Sequence, residues 1–317
     1  MFNACQMQPN SMRIRLLFFC IITSFIASIP DLLPASEIII IKSSDIIPYQ
    51  KSVEGFKQGF PQGSFSEYSI DEDYKERGRS ILDGAVKRGG DLILSVGPQA
   101  TYLLGNYSSS IPKIFTMVKN PEKLFGTGEV FYGISLDIPI SLQLEQIKTT
   151  FPDRRRIGVF FSRENNQDTI DLLLPKSREL NLVVVAIPIT STKEIPDKLK
   201  SIQSDIDILL IIPDRVIGSE KILKYIIKDM LIKKIPVVGF NEWFAQNGAI
   251  LAFTLDYEAI GKQTAELAQR VLEAQVPIGQ FIQEPQQVRT IVNLKIAQKL
   301  AITVSEDLLM QMGEVIK

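Results

Sequence analysis

Apolar positions in this chain come in short runs, and longer amphipathic stretches separate them. Residues 37–41, 91–96, 157–161, 206–212 and 236–238 are rich in Ile, Val and Leu. Runs of this length without alternation are expected of strands buried on both faces of a parallel sheet. Residues 65–70, 111–116, 130–134, 182–187, 249–255 and 288–292 add further strands. Between them the spacing changes to that of helices. In 49–60 the apolar positions are Val53, Phe56 and Phe60, and 140–150, 167–180, 192–203, 217–233 and 257–274 read the same way. The tail gives helices over 294–300 and 305–315.

Boundary residues support this reading. Pro98 suits a first helical turn, Gly89-Gly90 and Asn181 are stop signals, and Asp256 and Ser305 are natural N-caps. Val276-Pro277 breaks the helix before it. The predicted class is α/β, two lobes with parallel sheets, because the strand–helix alternation runs through twice. In such sheets a ligand sits beyond the carboxyl ends of the strands, so polar residues there are the first candidates for function.

Composition narrows the chemistry. The chain has 317 residues, 45% of them hydrophobic, which is enough for two cores. The formal charge is −1 with no basic block, which argues against nucleic acid as a partner. There is no His, so His-based metal sites, Ser-His-Asp and Cys-His catalysis are excluded. No Gly-x-Gly-x-x-Gly or Walker A pattern follows a strand. No cofactor and no metal is expected. Asp71-Glu72-Asp73 resembles a cation cluster, but it lies at a predicted helix start, where acidic residues complement the dipole.

The amino-terminal end reads as a secretory signal peptide over 1–36. Arg13 and Arg15 precede the apolar run 16–29, and Ala35-Ser36 offers a small-residue cleavage site. Cleavage there would remove two Arg, one Asp and both Cys, leaving a mature chain of charge −2. The expected location is periplasmic or secreted.

Several stretches resemble the ABC transporter substrate-binding protein family of type I periplasmic-binding fold, some members of which bind tryptophan or other aromatic amino acids. They include Ile111-Pro112-Lys113-Ile114-Phe115-Thr116 with Asn120-Pro121, Gly133-Ile134-Ser135, and Arg156-Ile157-Gly158-Val159. Asp214, Ile235-Pro236-Val237-Val238-Gly239, Asn247-Gly248-Ala249 and Asp256-Tyr257 continue the pattern, and Val292-Asn293-Leu294-Lys295-Ile296-Ala297 closes it. Ser162-Arg163 and Phe240-Asn241-Glu242 depart from it, at positions expected in the cleft.

The resemblance implies two Rossmann-like lobes joined by three crossings, near 134–137, 253–256 and 276–279. The amino-terminal lobe would hold 37–135 and 256–280, and the carboxyl-terminal lobe 136–255 and 281–317. It implies a monomer that clamps a small molecule and delivers it to an ABC permease, with hinge closure and no catalysis. Candidate contacts past strand ends are Ser43, Ser44, Gln99 and Thr116 from the first lobe. The second lobe offers Ser162, Asn166, Asp214, Asn241 and Glu242, and Asp256 stands at a crossing. Helix capping is the plain alternative for the Ser, Asn and Asp among them. Trp243 can stack on a ligand ring or anchor its helix in the core. A sensor subunit for a membrane receptor is a second function, and a glycoside hydrolase using Asp214 and Glu242 is a third.

Overall fold

The computed structural model describes residues 36–70, 76–125 and 130–317, with Gln311 described by its backbone alone. The predicted signal segment, apart from Ser36, and the Asp71-Glu72-Asp73 cluster lie outside these residues.

Two sheets organise the chain. The first contains β1 (Ser36–Lys42), β2 (Gly63–Ser69), β3 (Leu92–Val96), β4 (Lys113–Val118), β5 (Phe131–Ser135) and β11 (Gln280–Gln283), in the order β11-β5-β4-β3-β1-β2. The second contains β6 (Arg156–Phe161), β7 (Val183–Pro188), β8 (Ile208–Leu210), β9 (Val237–Gly239), β10 (Leu251–Leu255), β12 (Val288–Asn293) and β13 (Glu314–Ile316), in the order β13-β12-β10-β9-β8-β6-β7. Pairing is parallel within the central strands of both sheets, and β10 with β12 is antiparallel.

The unbroken apolar runs are explained by burial on both faces. Along β1, Ile38 and Ile40 enter one core and Ile39 and Ile41 the other. Along β8, Ile208 and Leu210 face one side and Leu209 the other. Each such side chain contributes about 1.5–3 kcal/mol of burial.

The helix Tyr257–Leu272 belongs to the first lobe and crosses the helix Ile47–Gly59 there. Their backbones touch. A Cβ on Gly261 would stand 1.9 Å from the Ser52 carbonyl oxygen, and one on Gly55 would stand 2.0 Å from that of Glu258. Thr264 Oγ1 donates to Thr116 Oγ1 at 3.1 Å, tying the same helix to β4.

Three elements differ from the sequence reading. β11 joins the first sheet beside β5, so the last crossing falls after Gln283 and not at 276–279. The predicted tail helix 305–315 is a short helix, Glu306–Gln311, followed by the edge strand β13. The long helix expected from 217 starts at Glu220 with Ser219 as its cap, because Asp214 folds 214–216 into a turn by accepting from Val216 N at 2.8 Å.

Candidate functional site

The carboxyl ends of strands from both lobes meet around a cavity of about 860 Å³. The first lobe supplies Lys119, Ser135, Leu136 and Asp137, and Gln283 and Glu284 line it as well. The second supplies Asn166, Leu172, Ile212 and Phe240, with Leu255 and Tyr257 at a crossing. A second hollow of about 670 Å³ shares Lys119, Asn120, Asn166, Pro213 and Phe240, and extends the cleft towards Asp214 and Arg215.

Backbone geometry at the end of β4 shapes the first-lobe wall. The register with β5 shifts between Phe115 and Val118, and Met117 sits there at φ 62°. A left-handed, non-glycine residue inside a strand marks a bulge, which turns the following residues out of the ladder. Asn120 is left-handed as well, at φ 46°. Val118 O accepts from Leu136 N at 2.8 Å, and Asp137 Oδ2 accepts from Asn120 N at 2.9 Å, so the ends of β4 and β5 are locked together.

This arrangement places a cation and a carboxylate side by side. Lys119 is exposed and lines both hollows. Desolvation lowers its pKa, and the fields of Asp137 and Asp214 oppose that shift. Asp137 is half-buried, and its pKa is raised, first by desolvation and also by Glu122 and Glu284 nearby.

Asp214 is the hub of a different constellation. Its Oδ2 accepts from Ser162 N and Ser162 Oγ, both at 2.8 Å, and from Asn166 Nδ2 at 2.7 Å. Its Oδ1 accepts from Val216 N. Asn166 Nδ2 also donates to the Pro213 carbonyl at 3.1 Å. Burial works against the carboxylate, but these donors outweigh it and hold its pKa below the usual value. Asp214, Ser162 and Asn166 thus form one buried network joining the ends of β6 and β8, and Asn166 also reaches the main cavity.

The other sequence candidates do not gather there. Ser43 Oγ accepts from Ala100 N at 3.0 Å and ties β1 to the helix Pro98–Gly105. Thr116 is fully buried and points to Thr264. Ser44 is half-buried, and Gln99 is exposed on the first turn of its helix. Asn241 is exposed at the cap position of the helix Glu242–Gln246, and Glu242 is exposed and accepts from Gln246 Nε2 at 2.6 Å. Asp256 caps the helix Tyr257–Leu272 through Glu258 N and Ala259 N, both at 3.1 Å. Trp243 packs edge-on against Phe244, under the Lys224 ammonium.

Phe240, which the sequence places in the cleft, does line the cavity, whereas Lys119, Asp137 and Tyr257 line it without having been candidates. Lys119 directly precedes the Asn120-Pro121 turn, and Asp137 stands at a predicted crossing. That juxtaposition was the available signal. Among the described residues no cluster of Cys, Asp or Glu is placed to hold a metal ion, and no helix is long and apolar enough to cross a membrane.

Residues 66–316 match the family described as ABC transporter substrate binding protein. The chain belongs to that family. A curated relative, the tyrosine-binding protein of Clostridioides difficile (strain R20291), is 29% identical over 203 residues, which is 62% of this chain. The match spans 58% of that protein's length. Two solved structures share the fold. A ligand-free, open substrate-binding protein with adhesive properties from Clostridium difficile has a TM-score of 0.74 at 19% identity, covering 89% of this chain and 100% of that one. An ABC domain from Streptococcus pneumonia in complex with L-Trp has a TM-score of 0.60 at 20% identity, with the same coverage. This substrate-binding protein therefore has the two-lobed α/β architecture of type I periplasmic-binding proteins.

Proposed function

We propose that this protein is the solute-capturing component of an ABC importer. Exported after loss of 1–36, it takes an amino acid with an aromatic side chain into the interlobe cleft and closes on it by bending at the crossings. The closed form then docks as a monomer on a membrane permease. The observation that carries the reading is the cavity of about 860 Å³ walled by both lobes, a volume suited to a small molecule. Leu136, Ile212, Phe240 and Tyr257 offer an apolar surface for a ring. The relatives named for tyrosine and solved with L-Trp support this ligand class.

Binding without turnover fits Asp214 and Glu242, the pair named above for hydrolysis, better than catalysis by that pair does. Asp214 is engaged by four donors, and Glu242 is exposed and paired with Gln246. A hydrolase would instead need a free pair flanking the scissile bond. The test is mass spectrometry of small molecules released from protein purified without denaturation, followed by calorimetric titration with each. An aromatic amino acid that binds and is recovered unchanged is the expected result. A sugar released in its place, or turnover of glycosides, would overturn the reading.

A further inference from the structure

In each crossing between the lobes, the hydrogen bonds of one lobe give way abruptly to those of the other. In the first, Leu136 N donates to Val118 O at 2.8 Å and Asp137 Oδ2 accepts from Asn120 N at 2.9 Å, all within the first lobe. Ile138 already belongs to the second lobe. It packs on that lobe's core, and its carbonyl accepts from Gln143 Nε2 at 2.9 Å, on the helix Ile140–Thr150. In the second crossing, Leu255 is the last rung of β10 and pairs with Val288 of β12. Asp256, the next residue, is bound to the first-lobe helix Tyr257–Leu272 as its cap.

The third crossing, 284–287 between β11 and β12, is longer, and one side chain shortens it. Gln263 stands on the helix Tyr257–Leu272, is 7% exposed, and lies outside both hollows of the cleft. Its Nε2 donates to the Glu284 carbonyl and its Oε1 accepts from Gln286 N, both at 3.0 Å. An amide that spends its donor and its acceptor on one stretch of main chain fixes the orientation of that stretch as well as its distance. Pro285, between the two bonded residues, is buried, and its ring fixes φ. This leaves Gln287 between the clamp and Val288, the first rung of β12. Gln287 is exposed and borders a hollow of about 300 Å³, which gives it room to turn.

Lobe rotation needs torsions held by neither lobe, and a few residues suffice to absorb them. A free crossing over 284–287 would let the second lobe sway in several directions. A single free residue there restricts it, because Leu255 and Val288 are paired rungs and so set two pivots side by side.

On the reading that the lobes close by bending at the crossings, we infer that they pivot at 137–138, 255–256 and 287. Gln263 is the positioning residue that confines the third pivot to Gln287, by fastening 284–286 to the first lobe.

Hydrogen exchange of single amides in the full chain, followed by NMR, tests this. Asn120, Leu136, Ala259 and Gln286 should be protected in the ligand-free chain and stay protected with saturating L-tyrosine. Loss of protection at Gln286 on binding would mean that the clamp opens as the lobes close, and would overturn the assignment without any variant. Gln263→Met keeps the side-chain length and removes both bonds. Exchange at Gln286 should quicken, and L-tyrosine should bind more weakly, each by about two- to tenfold, the range of one net hydrogen bond. Gln263→Glu keeps an acceptor for Gln286 N, so Gln286 should stay protected and affinity should fall between the two. Fast exchange at Gln286 in Gln263→Met, with wild-type affinity and wild-type ligand-free scattering, would overturn the positioning role. If L-tyrosine binds without any change in scattering, the closure reading falls and the pivots fall with it. If L-tyrosine does not bind, the aromatic amino acid reading falls alone. The ligand-free scattering of Gln263→Met, expected to give a larger radius of gyration than wild type, then decides the role of Gln263.

Discussion

Lys123 Nζ and Asp168 Oδ2 stand 2.7 Å apart and join the two lobes across the mouth of the cleft. Both side chains are at least half exposed, so water and salt screen the pair. A double-mutant cycle with Lys123→Met and Asp168→Asn should give a coupling of about 0.2–1 kcal/mol at low salt. The coupling should vanish at high salt. A larger, salt-insensitive value would mean that the bridge holds the lobes apart or together by itself.

Asp214→Asn should act on stability more than on affinity. The carboxylate accepts four hydrogen bonds inside its own lobe, and an amide offers only one acceptor oxygen and turns two donors towards Ser162 or Asn166. The expected loss is about 1.5–3 kcal/mol of folding stability, seen as a melting temperature several degrees lower. Ligand affinity measured well below that temperature should change less than about fivefold (roughly 1 kcal/mol). A normal melting temperature with lost binding would make Asp214 a ligand contact.

Gly261→Ala and Gly84→Ala should have opposite signs. At Gly261 the new methyl meets the Ser52 carbonyl oxygen at 1.9 Å and the Phe56 nitrogen at 2.7 Å, all backbone, so the two helices must separate. Overpacking of this kind costs about 1–3 kcal/mol or more. At Gly84 the nearest atom is the end of the flexible Arg88 side chain at 3.7 Å. Gly84→Ala in that helix interior should gain about 0.5–1 kcal/mol. Thermal melts of the two variants decide it.

Asp207 gives a pH dependence with a fixed sign. Its hydrogen bonds from the Arg156 side chain, helped by the Arg155 and Arg156 amides against some desolvation, lower its pKa to about 2. A group whose folded pKa is depressed stabilises the fold above its unfolded pKa. That contribution is lost as pH falls through the folded value. The window is therefore from about pH 4 down to about 2, and for this partly exposed pair the loss is about 1 kcal/mol. Asp207→Asn should flatten that segment of a stability–pH curve while lowering stability at neutral pH.

Much of the fold was legible in the sequence because the apolar runs are unbroken. Ile38–Ile41 and Leu92–Val96 admit little but a strand buried on both faces. β11 and β13 were not legible, since each is a short edge strand with an exposed first residue, and β11 pairs with β5, far away in sequence. The site was legible only as a principle. Polar residues past strand ends do line the cleft, but which ends face it depends on how the lobes stand. Ser43 and Thr116 turn into their own lobe, whereas the bulge at Met117, which carries no sequence signal, aims Lys119 outward.

The measurement that most directly tests capture by lobe closure is small-angle X-ray scattering of the full chain with and without saturating L-tyrosine. The account predicts a smaller radius of gyration with L-tyrosine, as the walls carrying Lys119 and Phe240 approach one another. Saturation confirmed by calorimetry with an unchanged scattering profile would contradict it.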